Sequence, residues 1–332
     1  MRKHRVWQVE TSGGPFIEVE VVRPAPKPGE VLVRIAASGV NPLDTKIRAG
    51  KAEHAKQALP AVLGLDMAGT VEEVGAGVTE FRPGEAVFGM VGGVGGRQGT
   101  LGEYVAADAR LLAHKPKTLS MREAAVLPLS TITAWEGLVD RAQVHAGQKV
   151  LVHAGAGGVG HVCVQIARAF GADVYATVSS SKKHLVEQYG AMPVDYRALS
   201  VDEYVETFTG GAGFDVVYDT VGGATIDESF KAVRRYTGHV VSCLGWSTHS
   251  LAPLSFRGAT YSGVFTLYPM LSGVGLERHG KILRKAAALA DEGKLRPLLN
   301  SERFTTADLD GAYAAVEAGS TGKVVVEMQN ER

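Results

Sequence analysis

The chain has 332 residues, 45% of them hydrophobic and 21% charged, and its 35 Lys and Arg are balanced by 35 Asp and Glu. That length calls for about two domains, and the composition is that of a soluble globular protein. Zero formal net charge excludes a field that would recruit nucleic acid or an anionic membrane.

The basic start, residues 1–10, has no apolar run behind it, so no signal peptide is expected. No stretch reaches the roughly 18 apolar residues of a membrane span, and a cytoplasmic protein acting on a small molecule is the expectation. The two cysteines, Cys163 and Cys243, lie in apolar runs and are expected to be core residues. Two thiols exclude a disulfide framework and a thiolate-rich zinc site.

In chain order, short strands come first, at residues 31–35, 69–74 and 86–89, with turns at Pro28-Gly29 and Pro83-Gly84. Even spacing of this kind predicts a compact, partly closed β domain. From Arg122 onward strands at 150–154, 173–178, 214–220 and 239–244 alternate with helices. One helix, over 159–170, carries Val159, Val162, Ile166 and Phe170 on one face and stops at Gly171. Alternating strand and helix predicts a doubly wound parallel sheet. A helix over 277–292 then leads to a strand-like tail at 323–327, similar in character to the first part. The expected fold is therefore α/β with two domains: a β domain from 1–121 plus 271–332, and a doubly wound domain from 122–270.

The stretch "VLVHAGAGGVGHV", 150–162, carries G-x-G-x-x-G between a strand and a helix. Glycines permit the tight turn and the close approach of backbone to a pyrophosphate, and the helix N-terminus offers unpaired N–H groups. Gly155, Gly157, Gly158, Val159 and Gly160 are the candidate contacts. The next strand ends in Ser179, Ser180, Ser181, Lys182 and Lys183, with no carboxylate before Glu187. NAD sites usually place an Asp or Glu there, whereas hydroxyls and ammonium groups suit a 2′-phosphate. Ser179, Lys182 and Lys183 therefore predict NADPH.

The residues "SGVNPLDTKIRAG" (38–50), "LPAVLGLDMAGTVEEVGAGV" (59–78) and "GTLGEYVAADARLL" (99–112) resemble the GroES-like domain of medium-chain dehydrogenases/reductases. "AAVLPLSTITAWEGL" (124–138) and "VLVHAGAGGVG" (150–160) resemble that superfamily's domain junction and cofactor loop. Within it the chain is similar to the zinc-independent quinone oxidoreductases, the ζ-crystallin-like group. The resemblance implies a GroES-like domain joined to a Rossmann domain.

The zinc-dependent alcohol dehydrogenases of the superfamily carry Cys where this chain has Asn41, and Gly-His-Glu where it has Gly64-Leu65-Asp66. The four-cysteine lobe of those enzymes is replaced by "GGVGGRQGTLGE" over 92–103. A thiolate and an imidazole are thus missing, and no metal site is expected; Asp66 and His54 alone make a weak pair.

Without a metal the acceptor must be reducible by hydride with hydrogen-bond help alone, as quinones and α,β-unsaturated carbonyls are. The resemblance implies Asn41 as the active-site donor. Lys46 stands where bacterial members commonly have Tyr, and is the second catalytic candidate. It also implies Thr133 near the nicotinamide, Tyr196 at the 2′-phosphate, Gly245 and Phe265 at the carboxyl edge of the sheet, and Lys323 beside the nicotinamide. "GVFTLYPM" (263–270) resembles the edge strand through which relatives dimerise.

Two other readings remain open. An enoyl-thioester reductase would use a basic entrance, for which Lys46, Arg48 and Lys51 are candidates. A non-catalytic NADPH-binding structural or regulatory protein would show no turnover.

Overall fold

The structure, a computed structural model, describes residues 2–329. Strands β1 (Lys3–Val9) and β2 (Phe16–Val22) form a hairpin, and β3 (Glu30–Val40) precedes the short helix α1 (Pro42–Arg48). Then follow β4 (Ala61–Val62), β5 (Asp66–Val74), β6 (Ala86–Met90), β7 (Tyr104–Asp108) and β8 (Leu112–His114). Val31, Leu32, Val33 and Ile35 of β3 are all buried, so the strand is covered on both faces over this stretch. Helix α2 (Met121–Ala124) opens on a Ser120/Glu123 capping box, and α3 (Pro128–Trp135) starts with proline in its first turn.

The chain then builds a parallel sheet: β9 (Lys149–Val152), α4 (Gly160–Ala169), β10 (Asp173–Val178), α5 (Lys183–Glu187), β11 (Met192–Asp195), α6 (Val201–Thr209), β12 (Val216–Asp219), α7 (Ala224–Ala232), β13 (His239–Ser242), α8 (Ala252–Arg257) and β14 (Thr260–Gly263). The spatial order is β11-β10-β9-β12-β13-β14, all pairs parallel. This is the doubly wound order in which the chain reverses direction beside its first strand, here between β9 and β12, opening a crevice at the carboxyl ends. Leu151, Val194, Phe214, Val217, Phe230 and Val240 form part of its core.

Helix α3 runs on into a π-helical turn, Glu136–Arg141. Tyr218 of β12 explains it: its hydroxyl donates to Thr133 O at 2.7 Å, and a Cβ on Gly137 would lie 2.2 Å from its ring. The buried phenol takes a helix carbonyl, and glycine leaves it room.

After β14 come α9 (Tyr268–Ser272), α10 (Glu277–Asp291), β15 (Phe304–Thr305), α11 (Leu309–Glu317) and β16 (Val324–Glu327). The tail returns to the first sheet, which runs β15-β16-β3-β5-β6-β8 with β7 also on β3, while β2-β1-β4 form a separate sheet.

The chain divides into two units. One holds the residues up to Leu129, Leu267–Gly293 and those from Pro297; the other holds Ser130–Thr266 with Lys294–Arg296. The boundaries expected at 121/122 and 270/271 thus move to 129/130 and 266/267. Residues 121–129 belong with the β unit, because Ala125 O lies where a Cβ on Gly39 would be, and Leu129 N–H donates to Asp66.

The segment 263–270 is not the edge strand itself. The edge strand is β14, which ends at Gly263, and a turn of helix begins at Tyr268. Cys163 is fully buried and Cys243 half-buried. Among the described residues no helix is long and apolar enough to cross a membrane.

Candidate active site

Three neighbouring strands end together in the first unit. Antiparallel register sets Val324 of β16 opposite Val40 of β3, so Lys323 falls opposite Asn41. On the other side of β3, Gly39 faces Asp66, the first residue of β5. The adjacency becomes a chain of hydrogen bonds. The Lys323 ammonium donates to Asn41 Oδ1, and Asn41 Nδ2 donates to Asp66 Oδ2 at 3.0 Å. Leu129 N–H donates to Asp66 Oδ1 at 3.0 Å, and Asn41 N–H donates to Asp44 Oδ2 at 2.8 Å. Gly322 allows the approach: its φ is +82°, and a Cβ there would lie 2.5 Å from the Leu299 carbonyl.

The cluster is dry. Asn41, Asp44 and Asp66 have no exposed surface, and Lys323 has 6%. Two carboxylates against one ammonium would leave a net negative charge in a buried site, which is costly, so one proton is retained. Hydrogen bonding says where. Both oxygens of Asp66 receive donors, whereas Asp44 Oδ1 has no partner. Burial pushes Asp44 up to about 7, helped by the nearby Asp66 and opposed by the Asn41 N–H and Lys323. Burial raises Asp66 only to about 6, against Lys323 and its two donors. Lys323 is lowered by burial while Asp66 and Asp44 hold its charge. The donors and the burial together favour, below about pH 7, a proton on Asp44 beside an ionised Asp66 and an ammonium, with no net charge.

Lys46 is exposed on α1, away from this cluster's hydrogen bonds. Its charge, after burial, helps to lower the pKa of His54.

In the second unit the glycine loop follows β9 at the point where the strand order reverses. A Cβ on Gly155 would lie 2.5 Å from Ala176 Cβ, and one on Gly160 would lie 2.1 Å from Ala154 O. Both glycines are therefore required by strand–loop and loop–helix packing. Gly158 is exposed and Gly157 and Val159 half-buried, so this side of the loop is open at the start of α4. Thr133 is nearly buried, its hydroxyl 3.0 Å from that of Thr266. A Cβ on Gly245 would lie 2.2 Å from the Tyr261 hydroxyl, and Phe265 packs edge-on against Trp246.

The Ser179–Lys183 loop is less purely basic than its sequence. Asp195, opposite Val178 at the end of β11, reaches it. The Ser180 hydroxyl donates to Asp195 Oδ2, and the Lys183 ammonium lies 3.5 Å from the same oxygen. Ser180, the Arg197 N–H and Lys183 hold the Asp195 carboxyl below its usual range. Ser179 Oγ is 3.3 Å from Ser181 Oγ, Lys182 is half-buried, and Tyr196 is exposed with the Arg197 guanidinium over its ring.

Comparison with known proteins agrees with this architecture. Residues 27–117 match the family described as alcohol dehydrogenase GroES-like domain, and residues 158–271 match the zinc-binding dehydrogenase family. The chain is 33% identical, over 98% of its length, to 80% of the NADPH-dependent alkenal/one oxidoreductase of Arabidopsis thaliana. It is 35% identical, over 93% of its length, to 74% of the 2-methylene-furan-3-one reductase of Solanum lycopersicum. The chain belongs to the medium-chain dehydrogenase/reductase superfamily. Over 97% of its length it is also 33% identical to the polyketide synthase system protein NorB of Streptomyces orinoci, of which it spans only 14%. Among solved structures, an alcohol dehydrogenase superfamily protein from Novosphingobium aromaticivorans is 55% identical, with TM-score 0.95 over 98% of this chain and 99% of that one. The Coxiella burnetii quinone oxidoreductase is 27% identical, with TM-score 0.82 over 98% and 99%. The CurK enoyl reductase is 27% identical, with TM-score 0.85 over the same shares.

The positions that the sequence resemblance equates with metal ligands have other contacts here. Asn41 and Asp66 belong to the ammonium–carboxylate cluster, and Leu65 is a fully buried core residue. Among the described residues no three His, Cys, Asp or Glu side chains converge as a bound metal needs. Arg48, a candidate for a basic entrance, is committed to structure: it donates to Gly14 O and Asp310 and stacks on Phe16. Sequence reasoning did not single out Asp44 or Asp195. The N-x-x-D spacing of a capping box at Asn41 could have flagged Asp44; Asp195, directly before Tyr196, carried no local signal.

Proposed function

We propose that the protein is an NADPH-dependent, zinc-independent reductase of activated alkenes such as α,β-unsaturated carbonyls, with quinones as further acceptors. The observation that carries this reading is the Asn41 cluster: where the zinc enzymes of the superfamily hold a metal, this chain holds an ammonium on an amide. Among the described residues no thiolate or imidazole stands beside Asn41 to hold a metal there, and a conjugated acceptor, already electrophilic, is the class that needs least beyond hydrogen-bond help. The alkenal/one oxidoreductase and furanone reductase relatives favour the activated alkene.

The glycine loop fits a dinucleotide, since two of its glycines are sterically required and its open side faces the start of α4. Gly155, Gly157, Gly158, Val159 and Gly160 would hold the pyrophosphate, and Lys182 and Ser179 the 2′-phosphate. When bound, the reduced nicotinamide supplies a hydride. Asn41 spends one amide hydrogen on Asp66; the other is the donor we assign to the acceptor oxygen, where charge collects, and because Asn41 is fully buried the assignment requires its cover to open for the acceptor. A homodimer formed by pairing of β14 is part of the reading, since β14 is an open sheet edge.

Lys46 and Lys51 are exposed, and Lys56 lines a groove of about 400 Å³ with Ile47, Glu53 and Gln57. These ammonium groups favour an enoyl thioester as the second candidate acceptor. NADPH consumption by the purified protein against quinones, enones and enoyl thioesters, with a chelator present, tests the reading. Enones should be consumed fastest. One equivalent of tightly bound zinc with chelator-sensitive activity would overturn it, as would no turnover of any acceptor.

A further inference from the structure

We propose that Lys323 is a positioning residue for the reduction: it locks the Asn41 amide with Oδ1 on the ammonium and one Nδ2–H on Asp66, so that the other Nδ2–H is the one presented to the acceptor oxygen when the buried site opens. The proposal rests on the reading of Asn41 as that donor.

An asparagine amide has a carbonyl end and an NH2 end of nearly equal shape, and packing alone does not choose between them. Here charge chooses. The Lys323 ammonium has only donors, and it meets Oδ1; ionised Asp66 has only acceptors, and it meets Nδ2. Rotating the amide by half a turn would set NH2 against the ammonium and the carbonyl against the carboxylate, making both contacts repulsive. The amide thus stands between cation and anion, and the two charges fix it without touching each other.

The backbone serves the same arrangement. Lys323 is held on both sides, its N–H donating to Leu298 O at 2.7 Å and its carbonyl accepting from Asn300 N–H at 2.9 Å. Asn41 is held by its own N–H on Asp44. The titratable and charged groups around the amide are Asp44 on α1, Asp66 on β5 and Lys323 before β16. Beyond Asp44 lies Tyr313 of α11, whose hydroxyl is unpartnered and whose ring carries the Arg48 guanidinium.

Lys323→Met, Lys323→Arg, Asn41→Ala and the Lys323→Met/Asn41→Ala pair test this in the full chain with NADPH and an enone. Lys323→Met should lower kcat by about tenfold or more, with acceptor KM changed far less, since a charge-assisted hydrogen bond is lost. Because Lys323 acts through Asn41, the double variant should be no slower than the slower single variant. Lys323→Arg should recover most of the rate.

A second readout needs no turnover. The side-chain 15N–1H2 signal of Asn41, identified by its disappearance in Asn41→Ala, should move in Lys323→Met and stay near its place in Lys323→Arg. Multiplying losses in the double variant, or an unmoved amide signal in Lys323→Met, would overturn the proposal. Absence of enone turnover by the unaltered chain would refute the functional reading instead, with the amide signal still deciding the role of Lys323. If Lys323→Met does not fold, Lys323→Met/Asp66→Asn removes the opposed charges together, and its amide signal is compared with that of Asp66→Asn.

Discussion

Asp44→Asn should make the first unit more stable at neutral pH and leave it nearly unchanged in acid. The native carboxyl is raised from 3.8 to about 7 because it is fully buried, beside Asp66 and with Oδ1 unpaired. A raised carboxyl pKa means that the native state binds the proton more tightly than the unfolded chain. Its contribution to stability is therefore whole below about 3.8, falls as pH rises, and is gone above about 7. A shift of about three units corresponds to about 4 kcal/mol across that window. Asparagine keeps an acceptor for the Asn41 N–H but cannot ionise, so the variant escapes the loss. Asp66, raised to about 6, works in the same direction, and His153, held down to about 4 by burial, works in the opposite one. His153 is present in each protein and cancels in the difference, whereas Asp66, whose charge helps to raise Asp44, is counted within the Asp44 shift.

Trp7 is the tryptophan of the first unit, while Trp135 and Trp246 lie in the second. With those two replaced by Phe, fluorescence during guanidinium denaturation follows the unit that contains Asp44. The stability difference between Asp44→Asn and its parent should grow by about 3–4 kcal/mol from pH 4.5 to pH 8. A difference that stays flat over this range, or grows in the opposite direction, would refute the assignment of the buried proton to Asp44.

Three other outcomes follow from the second unit. Lys182→Ala/Lys183→Ala should raise the NADPH dissociation constant relative to that of NADH by about tenfold or more. Asp195→Asn should move the same ratio the other way, by freeing Lys183 and removing a like charge; ratios unchanged at one fixed salt concentration would show that this loop does not read the 2′-phosphate. At the sheet edge, Thr260 and Val264 turn their N–H groups inward to Gly238 O and Ser242 O, so Tyr261 points its N–H outward. Tyr261→Pro should then convert a dimer at micromolar concentration into a monomer by light scattering; a monomeric parent, or a variant that stays dimeric, would remove β14 from the interface.

The amino-acid pattern by itself determined what is local. The short strand-forming run of β3 after its Pro-Gly turn, the amphipathic run of α4 and the glycines after β9 state their conformations within a dozen residues, since side-chain period and allowed φ are properties of neighbours. A strand–glycine loop–helix unit with a second strand behind it is one such local object, so the glycine loop and its place between β9 and α4 were legible. What depended on distant partners was not. Lys323 could be read only as a residue beside the nicotinamide, because nothing near it names Asn41, 282 positions away. The antiparallel register of β16 on β3 brings the two together. The basic run at 179–183 looked unopposed until a parallel neighbour set Asp195 against Lys183, and Arg48 looked available until Asp310 and Phe16 took it. The proton on Asp44 is the furthest from sequence. A carboxyl's charge is decided by the dielectric and the donors around it, and those exist only once three strands, a helix and the chain's end have closed over the same few atoms.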